Sequence, residues 1–359
     1  MGGLQRGLPG DRYGWWVKKM MKDKKSLVLT GGPVSFEGAV SIEVTPNGVH
    51  PWRIPVIHRD LFDPKLVKMA SAPAGVRLTF ISNTSSVILG ITPRLVETDP
   101  PCVFDLLVDG KLHQRVVPSI ESNVVNFMDL PVGEHLLELY LPSQYMAFAV
   151  RGLQIDADAT VQRWDEHRPR IVLYGSSITH CRHAAGPSVT WPALVAQRFN
   201  LHLTSLGYGG ACHLDPMVGR MIRDLPADYI GLKLGINMMI LASVSDRLFG
   251  PLVTGMVKTI RDGHPETPLV IISPICHPPS ETTENTAGMT LQNMRYRLAE
   301  VCEVLRGNGD THLHYVNGLS LMGPEDIHLY ADGLHPSSEG YHFLAKGWIR
   351  EVAPKLGLA

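Results

Sequence analysis

A serine, an aspartate and a histidine are spaced along the chain in a way that could support acyl transfer. An apolar run ends at Gly175 and leads directly into Ser176 and Ser177, and far downstream Asp332 and His335 lie three residues apart. A serine hydroxyl is a weak nucleophile until a neighbouring base takes its proton, and a carboxylate can hold that base in the required tautomer. The three residue types needed for nucleophilic catalysis are therefore present.

Acyl transfer also needs hydrogen-bond donors for the oxyanion that develops on the attacked carbonyl. A glycine-rich loop at 207–210 and the segment 235–237 each follow an apolar run. The backbone N–H groups of Ser177 and Gly210 and the side-chain amide of Asn237 could supply three donors, since glycine lets the backbone approach closely.

The second half of the sequence has the alternation of apolar strands and helical periods that is typical of a parallel sheet. We expect strands at 171–174, 202–206, 229–234, 269–273 and 313–316. The carboxyl ends of parallel strands face one edge, where open α/β sheets bind their ligands. The pattern predicts a three-layer αβα domain over residues 170–359, with the chemical groups gathered at that edge.

The first half reads differently, as short strands separated by turn residues. Asp109-Gly110 between two apolar runs is a strong hairpin signal, and no long helical period is visible. We predict a β-sandwich or jelly-roll domain over 26–157, called the β-domain below, and a charged linker over 158–169. Residues 1–25 are expected to be a flexible leader, with Met20 or Met21 as alternative starts and a membrane-surface anchor as the less favoured interpretation.

The composition narrows the class of protein. Of the 359 residues, 19% are charged and 44% hydrophobic, and the formal net charge is −1, which gives no electrostatic case for nucleic acid or an anionic membrane. Five scattered cysteines without a C-x-x-C pair favour a reducing compartment, and we expect a cytoplasmic location. Whether identical chains assemble into a homo-oligomer is left open.

Four sequence blocks, taken together, resemble those of the SGNH (GDSL-type) serine hydrolase superfamily. They occur in order: Gly175-Ser-Ser177-Ile, Gly207-Tyr-Gly-Gly210, Gly235-Ile-Asn237 and Asp332-Gly-Leu-His335-Pro336. The resemblance covers about 170–359 and implies a flavodoxin-like domain with a five-stranded parallel sheet. The strand-rich first half resembles the N-terminal β-domain of some SGNH carbohydrate esterases.

The resemblance implies a role for each matching residue. Ser177 would be the nucleophile, His335 the base and Asp332 its partner, with Gly210, Asn237 and the Ser177 N–H binding the oxyanion. No cofactor is implied. Ser176 stands where the superfamily has Asp, Met238 stands where Asp is frequent, and the second block lacks the usual Asn.

Other interpretations of these residues stay open on the sequence alone. Ser177 could be a helix N-cap, and Ser176 is the competing nucleophile. His180, His213 and His277 adjoin cysteines, but no fixed ligand spacing supports a metal site. We instead expect His180 and His213 to bind substrate.

The expected function is a serine esterase that hydrolyses a short-chain acyl ester of a carbohydrate or another polar small molecule. Thioester cleavage, lactone opening and acyl transfer to an alcohol use the same groups and remain alternatives. A carbohydrate-binding protein with an inactive hydrolase domain, or a purely structural scaffold, would show no turnover.

Overall fold

The computed structural model describes residues 23–92 and 97–358. The described part forms two antiparallel sheets followed by an α/β unit. The predicted leader lies outside the described residues up to position 22. Its last residues do not fit that prediction, because Lys24 and Lys25 belong to a strand and the Lys24 ammonium pairs with Asp156 at 2.6 Å.

The first half, where the structure describes it, contains strands β1 Lys24–Ser26, β2 Ser35–Glu37, β3 Ser41–Thr45, β4 Gly48–Trp52, β5 Arg77–Ser82, β6 Val87–Thr92, β7 Phe104–Val108, β8 Lys111–Val116, β9 Val124–Phe127, β10 His135–Tyr140, β11 Ala149–Asp156 and β12 Val161–Gln162. One sheet has the order β3-β4-β11-β6-β9, with β1 also paired to β11. The other has the order β12-β5-β10-β7-β8, with β2 also paired to β5. Side chains from both sheets, including Phe80, Leu89, Phe104 and Leu139, form a buried core between them.

The second half is a five-stranded parallel sheet made of β13 Arg170–Gly175, β14 His202–Gly207, β15 Tyr229–Lys233, β16 Leu269–Ile272 and β17 Leu313–Val316. Its order is β14-β13-β15-β16-β17. Both faces of such a sheet are covered, and β13, β15 and β16 accordingly contain uninterrupted apolar runs. The predicted fold class, an α/β domain preceded by a β-sandwich, is confirmed.

The α-helices are α1 Pro64–Ala70, α2 Ser177–His180, α3 Trp191–Arg198, α4 Pro216–Asp224, α5 Ile236–Ile240, α6 Asp246–Arg261, α7 Leu291–Gly307 and α8 Ser338–Glu351. Short 3₁₀ turns cover Val56–Leu61, Pro187–Val189, Pro278–Ser280, Gly318–Ser320, Pro324–Leu329 and Ala353–Leu356. Over residues 23–92 and 97–358, no helix has both the length and the apolar character that crossing a bilayer requires.

Helix α1 was not predicted, and it lies in the half where no long helical period is visible in the sequence. Asp63 caps it, because its Oδ1 accepts a hydrogen bond from the Lys65 N–H at 2.8 Å, and Pro64 occupies the first helical position. This start signal is visible in the sequence as Asp-Pro. At seven residues the helix is too short to show a clear period.

The two halves share one hydrophobic core. Trp52, Leu66 and Met69 from the first half pack in the same buried cluster as Ile171 and Leu203 from the parallel sheet. The predicted linker also takes part in the fold, since β12 lies inside it and pairs with β5. The halves therefore form a continuous body.

Arg53 connects the two halves at the strand edge that carries the site. Its buried guanidinium donates hydrogen bonds to the carbonyl oxygens of Ala72 and Gly207, each at 2.6 Å, and to that of Met69. Burial lowers the pKa of Arg53 to about 10, which still leaves it charged near neutrality. Carbonyl dipoles, rather than a carboxylate, satisfy this cation.

Candidate active site

The nucleophile candidate lies on the turn that follows β13. β13 stops at Gly175, where a Cβ atom would overlap the Thr179 hydroxyl, so only glycine allows the turn. Ser176 is the N-cap of α2, and its Oγ accepts a hydrogen bond from the Ile178 N–H at 3.3 Å. Ser177 is the first helical residue. The capping role considered for Ser177 therefore belongs to Ser176.

Ser177, His335 and Asp332 form a continuous hydrogen-bonded chain. The Ser177 hydroxyl lies 2.8 Å from His335 Nε2, and His335 Nδ1 lies 2.8 Å from Asp332 Oδ2. Because an ionised carboxylate only accepts hydrogen bonds, Nδ1 carries the proton and Nε2 is free to accept from the serine. This is the arrangement that a general base needs.

The Asp332 carboxylate is held in its ionised form. Partial burial alone would raise its pKa, but hydrogen bonds from the backbone and side chain of His335 and from the Leu334 N–H outweigh it and bring the pKa to about 2. The two backbone bonds, at 2.8 and 3.1 Å, also lock the turn that joins Asp332 to His335.

Two of the three predicted oxyanion donors, Gly210 and Asn237, belong to adjoining segments, since Asn237 contacts Cys212 two residues after Gly210. Gly210 follows β14 and has a φ of +63°, a left-handed conformation that favours glycine. Asn237 lies in α5, and its Oδ1 accepts a hydrogen bond from the Cys212 N–H at 3.1 Å. With the oxygen engaged in this way, the Nδ2 group of Asn237 remains available as a donor.

The two histidines expected to bind substrate are in different environments. His180 is 1% exposed and therefore has almost no surface to offer a substrate, contrary to expectation. Its Nδ1 lies 3.3 Å from the Arg53 guanidinium, and its ring meets the edge of Tyr145 at 4.6 Å. Burial and the charge of Arg53 keep the pKa of His180 well below its usual value. His180 therefore packs as a neutral ring beneath the nucleophile.

His213 is half-buried and is tied to the oxyanion loop. Its Nδ1 lies 2.7 Å from the Ser243 hydroxyl, and its Nε2 lies 3.3 Å from the Gly210 carbonyl oxygen. These contacts place His213 beside the site, as a support of the loop that presents Gly210.

Metal-ligand geometry does not involve the histidines singled out in the sequence. Among the described residues, two groups have ligand atoms within 4.8 Å of one another: His183, Asp332 and His335, and Glu37, Glu166 and His202. The first group overlaps the hydrogen-bonded chain at Ser177. In the second, Glu37 lies 2.8 Å from His202, and Glu166 pairs with Arg168.

Tyr145, which the sequence gave no reason to single out, reaches the site from the first half. Its hydroxyl interacts with that of Ser177 and lies so close to Gly209 that a Cβ there would overlap it. Burial raises the pKa of Tyr145 to about 12, so the hydroxyl remains a hydrogen-bond donor across the physiological range. Tyr145 follows β10 in a loop, and no sequence motif marks it.

Arg182 and His183 complete the other side of the site. Arg182 Nε donates a hydrogen bond to His183 Nε2 at 3.1 Å, and His183 Nε2 lies 3.7 Å from Asp332 Oδ2. Burial and the nearby Arg182 charge lower the pKa of His183. Their position directly after the first sequence block is the one signal that could have drawn attention to them.

Each half of the chain matches a known protein-family model. Residues 168–352 match the model of the GDSL-like lipase/acylhydrolase family, and residues 34–151 match that of the SsfX3 N-terminal domain. The chain is similar to the salicylyl-acyltransferase SsfX3 from a tetracycline biosynthetic pathway, with 32% identity and a TM-score of 0.86 over 93% of this chain and 98% of that one. No curated protein sequence matches the chain.

More distant structures show the same fold. A putative GDSL-like lipase from Bacteroides ovatus is 19% identical, with a TM-score of 0.78 over 94% of this chain and 99% of that chain. A family two carbohydrate esterase from Clostridium thermocellum is 15% identical, with a TM-score of 0.62 over 91% of this chain and 100% of that chain. Since the first of the two family models spans more than half of the 359 residues, the chain belongs to the GDSL-like lipase/acylhydrolase family.

Proposed function

We propose that this protein is a serine esterase that cleaves a short-chain acyl ester of a carbohydrate or another polar alcohol. The observation that carries the proposal is the hydrogen-bonded chain from Ser177 through His335 to Asp332, with 2.8 Å at both links. The family assignment supports acyl hydrolysis or acyl transfer as the class of reaction.

The first half of the proposed reaction forms an acyl-enzyme. Ser177 Oγ attacks the ester carbonyl carbon while His335 Nε2 takes the hydroxyl proton. The carbonyl oxygen becomes an oxyanion, which the N–H groups of Ser177 and Gly210 and the Asn237 amide stabilise. The bond to the alcohol oxygen then breaks, and His335 gives its proton to the departing alcohol.

The second half releases the acyl group. His335 takes a proton from water as the water oxygen attacks the acyl carbon, and the Ser177 ester bond breaks through a second oxyanion. The proton passes from His335 to Ser177 Oγ, which restores the starting state. Asp332 stays ionised throughout and stabilises the imidazolium that forms twice in the cycle.

Polar groups around the nucleophile favour a polar substrate. Tyr145 offers a hydroxyl donor beside Ser177, while Arg182 and His183 border the turn that carries the base. The similar Clostridium thermocellum protein is a carbohydrate esterase in complex with cellohexaose, which suggests sugar esters as the first substrates to try.

Acyl transfer is the second candidate. The 32% identity over 93% of the chain to a salicylyl-acyltransferase favours it, because an alcohol can replace water as the acceptor of the same acyl-enzyme. Adding a sugar or glycerol to a hydrolysis assay distinguishes the two reactions. A transferase gives mainly the new ester, whereas an esterase gives mainly the free acid.

The first test measures initial rates on p-nitrophenyl acetate, butyrate and octanoate for the native protein and for Ser177→Ala. We expect at least about a thousandfold loss in the variant, and native rates that fall as the acyl chain lengthens. Ser176→Ala is the matched control, since it removes the neighbouring hydroxyl and leaves the hydrogen-bonded chain in place.

The outcomes separate the alternatives. A native rate in Ser177→Ala would show that the nucleophile is wrongly assigned, and a selective loss in Ser176→Ala would move that role to Ser176. Absence of turnover of every ester by the native protein would instead favour a binding protein with an inactive hydrolase domain.

We also propose a reducing compartment, such as the cytoplasm. All five cysteines are buried free thiols. The free thiols support the proposal because oxidising compartments favour paired cysteines.

A further inference from the structure

Arg182 is a cation near the nucleophile, and the part of the chain that the structure describes supplies it with no salt-bridge partner. It is half-buried, and its hydrogen bond to the neutral His183 ring uses only Nε. Among the described residues, Arg182 forms no ion pair, although Asp332 and Asp99 are close enough to affect the pKa of the adjacent His183. The remaining N–H donors of its guanidinium are therefore available to a ligand.

Tyr145 lies between Arg182 and the nucleophile. The guanidinium carbon lies 5.5 Å from the centroid of the Tyr145 ring, and the hydroxyl of that ring interacts with Ser177. One tyrosine ring thus separates the cation from the nucleophile. A substrate group attached a few bonds from the scissile ester would reach it.

Lys65 is a second cation near the site, and it lies against the loop at 207–210. A Cβ atom at Gly210 would lie 2.8 Å from Lys65 Nζ, so the ammonium covers the loop that carries an oxyanion donor. The lysine comes from α1 in the first half, is exposed, and forms no ion pair with a carboxylate of residues 23–92 or 97–358. Lys65 therefore lies directly against this loop at Gly210, whereas Arg182 approaches it through the Tyr145 ring, whose hydroxyl lies close to Gly209.

We propose that Arg182 and Lys65 bind an anionic group of the substrate, a carboxylate or a phosphate. The proposal deepens the proposed esterase or acyl-transfer function and rests on it. Neither cation has a carboxylate partner within residues 23–92 and 97–358, and an anionic substrate group would neutralise their charge. Arginine in particular matches carboxylate and phosphate groups with paired donors.

The test compares esters that differ only in charge. On the acyl side, mono-4-nitrophenyl adipate is paired with the neutral 4-nitrophenyl hexanoate, and on the alcohol side 4-acetoxybenzoate is paired with 4-acetoxybenzamide. The measured quantity is the ratio of kcat/KM for the anionic ester to kcat/KM for its neutral partner. We expect a ratio of about 10 to 100 in one of the two pairs, because charge-assisted hydrogen bonds contribute this much. The responding pair shows whether the acyl group or the alcohol carries the anion.

Arg182→Gln should reduce that ratio to about 1, and Lys65→Gln should reduce it by several-fold. Arg182→Lys should restore part of it, since the charge returns without the planar pair of donors. Arg198→Gln and Lys258→Gln remove exposed cations from α3 and α6 and serve as matched controls that keep the native ratio.

A native ratio near 1 in both pairs, with normal turnover of the neutral esters, overturns the proposal and leaves the esterase function intact. If no ester is turned over, the esterase function fails, and titration calorimetry with adipate and with inorganic phosphate then decides the anion site. Binding of either probe that weakens at least tenfold in Arg182→Gln supports the site. Equal affinity in the native protein and the variant overturns it.

Discussion

At the scale of single residues, Asp332 is expected to act on the rate through His335. Asp332→Asn keeps the shape of the turn but can donate to His335 Nδ1, which favours the tautomer that cannot accept the Ser177 proton. We expect kcat to fall by about 10⁴-fold, as in other serine triads. Continuous or stopped ester-hydrolysis assays measure kcat for the native protein and the variant.

Asp262→Asn is the control for this change, because Asp262 is an exposed aspartate at the end of α6. It should keep the native rate. If Asp332→Asn keeps a rate within about tenfold of the native protein, the carboxylate does not set the tautomer of the base.

Lys233 gives a prediction about stability and pH. Its side chain is 3% exposed at the end of β15, its Nζ has no hydrogen-bond partner among the described residues, and burial lowers its pKa to about 8. Because the folded pKa lies below the unfolded one, the unfolded chain binds more protons between pH 8 and 10.5, and this group makes folding more favourable as the pH rises.

The Lys233→Met variant removes this dependence. The difference in free energy of unfolding between the native protein and the variant should shift by about 2 kcal/mol in favour of the native protein from pH 7 to pH 10. Urea denaturation at the two pH values measures it, with the exposed Lys258→Met as control. A difference that stays constant with pH would mean that Lys233 keeps its charge in the folded protein.

The residues that the sequence could identify are those that share a local pattern. Ser177, Gly210, Asn237 and His335 each lie in a short block after a strand or before a helix, and the order of the blocks makes them recognisable together. Tyr145 has no such block. It reaches the site through the packing of one half on the other, which no local pattern encodes.

At the scale of elements, Arg53 anchors β4 to the edge of the parallel sheet. Arg53→Met removes the buried donors to the carbonyl oxygens of Ala72, Gly207 and Met69, of which the Met69 oxygen keeps a bond from the Ala72 N–H. We expect the free energy of unfolding to fall by about 3 kcal/mol or more, since each buried unsatisfied group costs about 1–3 kcal/mol. Denaturant unfolding followed by circular dichroism measures the change.

Arg59→Met is the matched control, because the Arg59 side chain is 46% exposed and its ion pairs are long, at 3.6 and 3.7 Å. Its effect should stay within about 0.5 kcal/mol. Equal losses in the two variants would show that the Arg53 hydrogen bonds add nothing to stability.

Strands β13, β15 and β16 of the parallel sheet could be predicted from the sequence because each contains an uninterrupted apolar run. Strands β4 and β11 were not predicted: β4 contains Pro51, and β11 contains Arg151 and Gly152 near a bulge. Helix α6 starts at Asp246 and contains Pro251 in its second turn, although a proline on its own favours a helix that begins after it. Tertiary packing overrides local preference at these places.

At the scale of the whole molecule, residues of the first half contribute to two separate hydrophobic cores. Its own core lies between the two antiparallel sheets, while Trp52, Leu66 and Met69 belong to the core of the parallel sheet. The sequence predicted the two architectures but not this sharing. The change from short strands to alternating strands and helices shows in the sequence where one architecture ends. The apolar residues of α1 carry no such signal, because an apolar side chain can pack within its own half or against the other.

The shared core bears on how such a protein can diverge. A domain that is joined to its neighbour only by a linker can be exchanged between genes as an independent unit, together with its ligand specificity. Here a replacement β-domain would have to supply the counterparts of Trp52, Leu66 and Arg53 before the hydrolase half could fold normally. New substrate preferences are therefore expected to arise by point substitution on helix α1, which carries Lys65, and on the loop that carries Tyr145, while the pairing of the two halves is inherited as a unit.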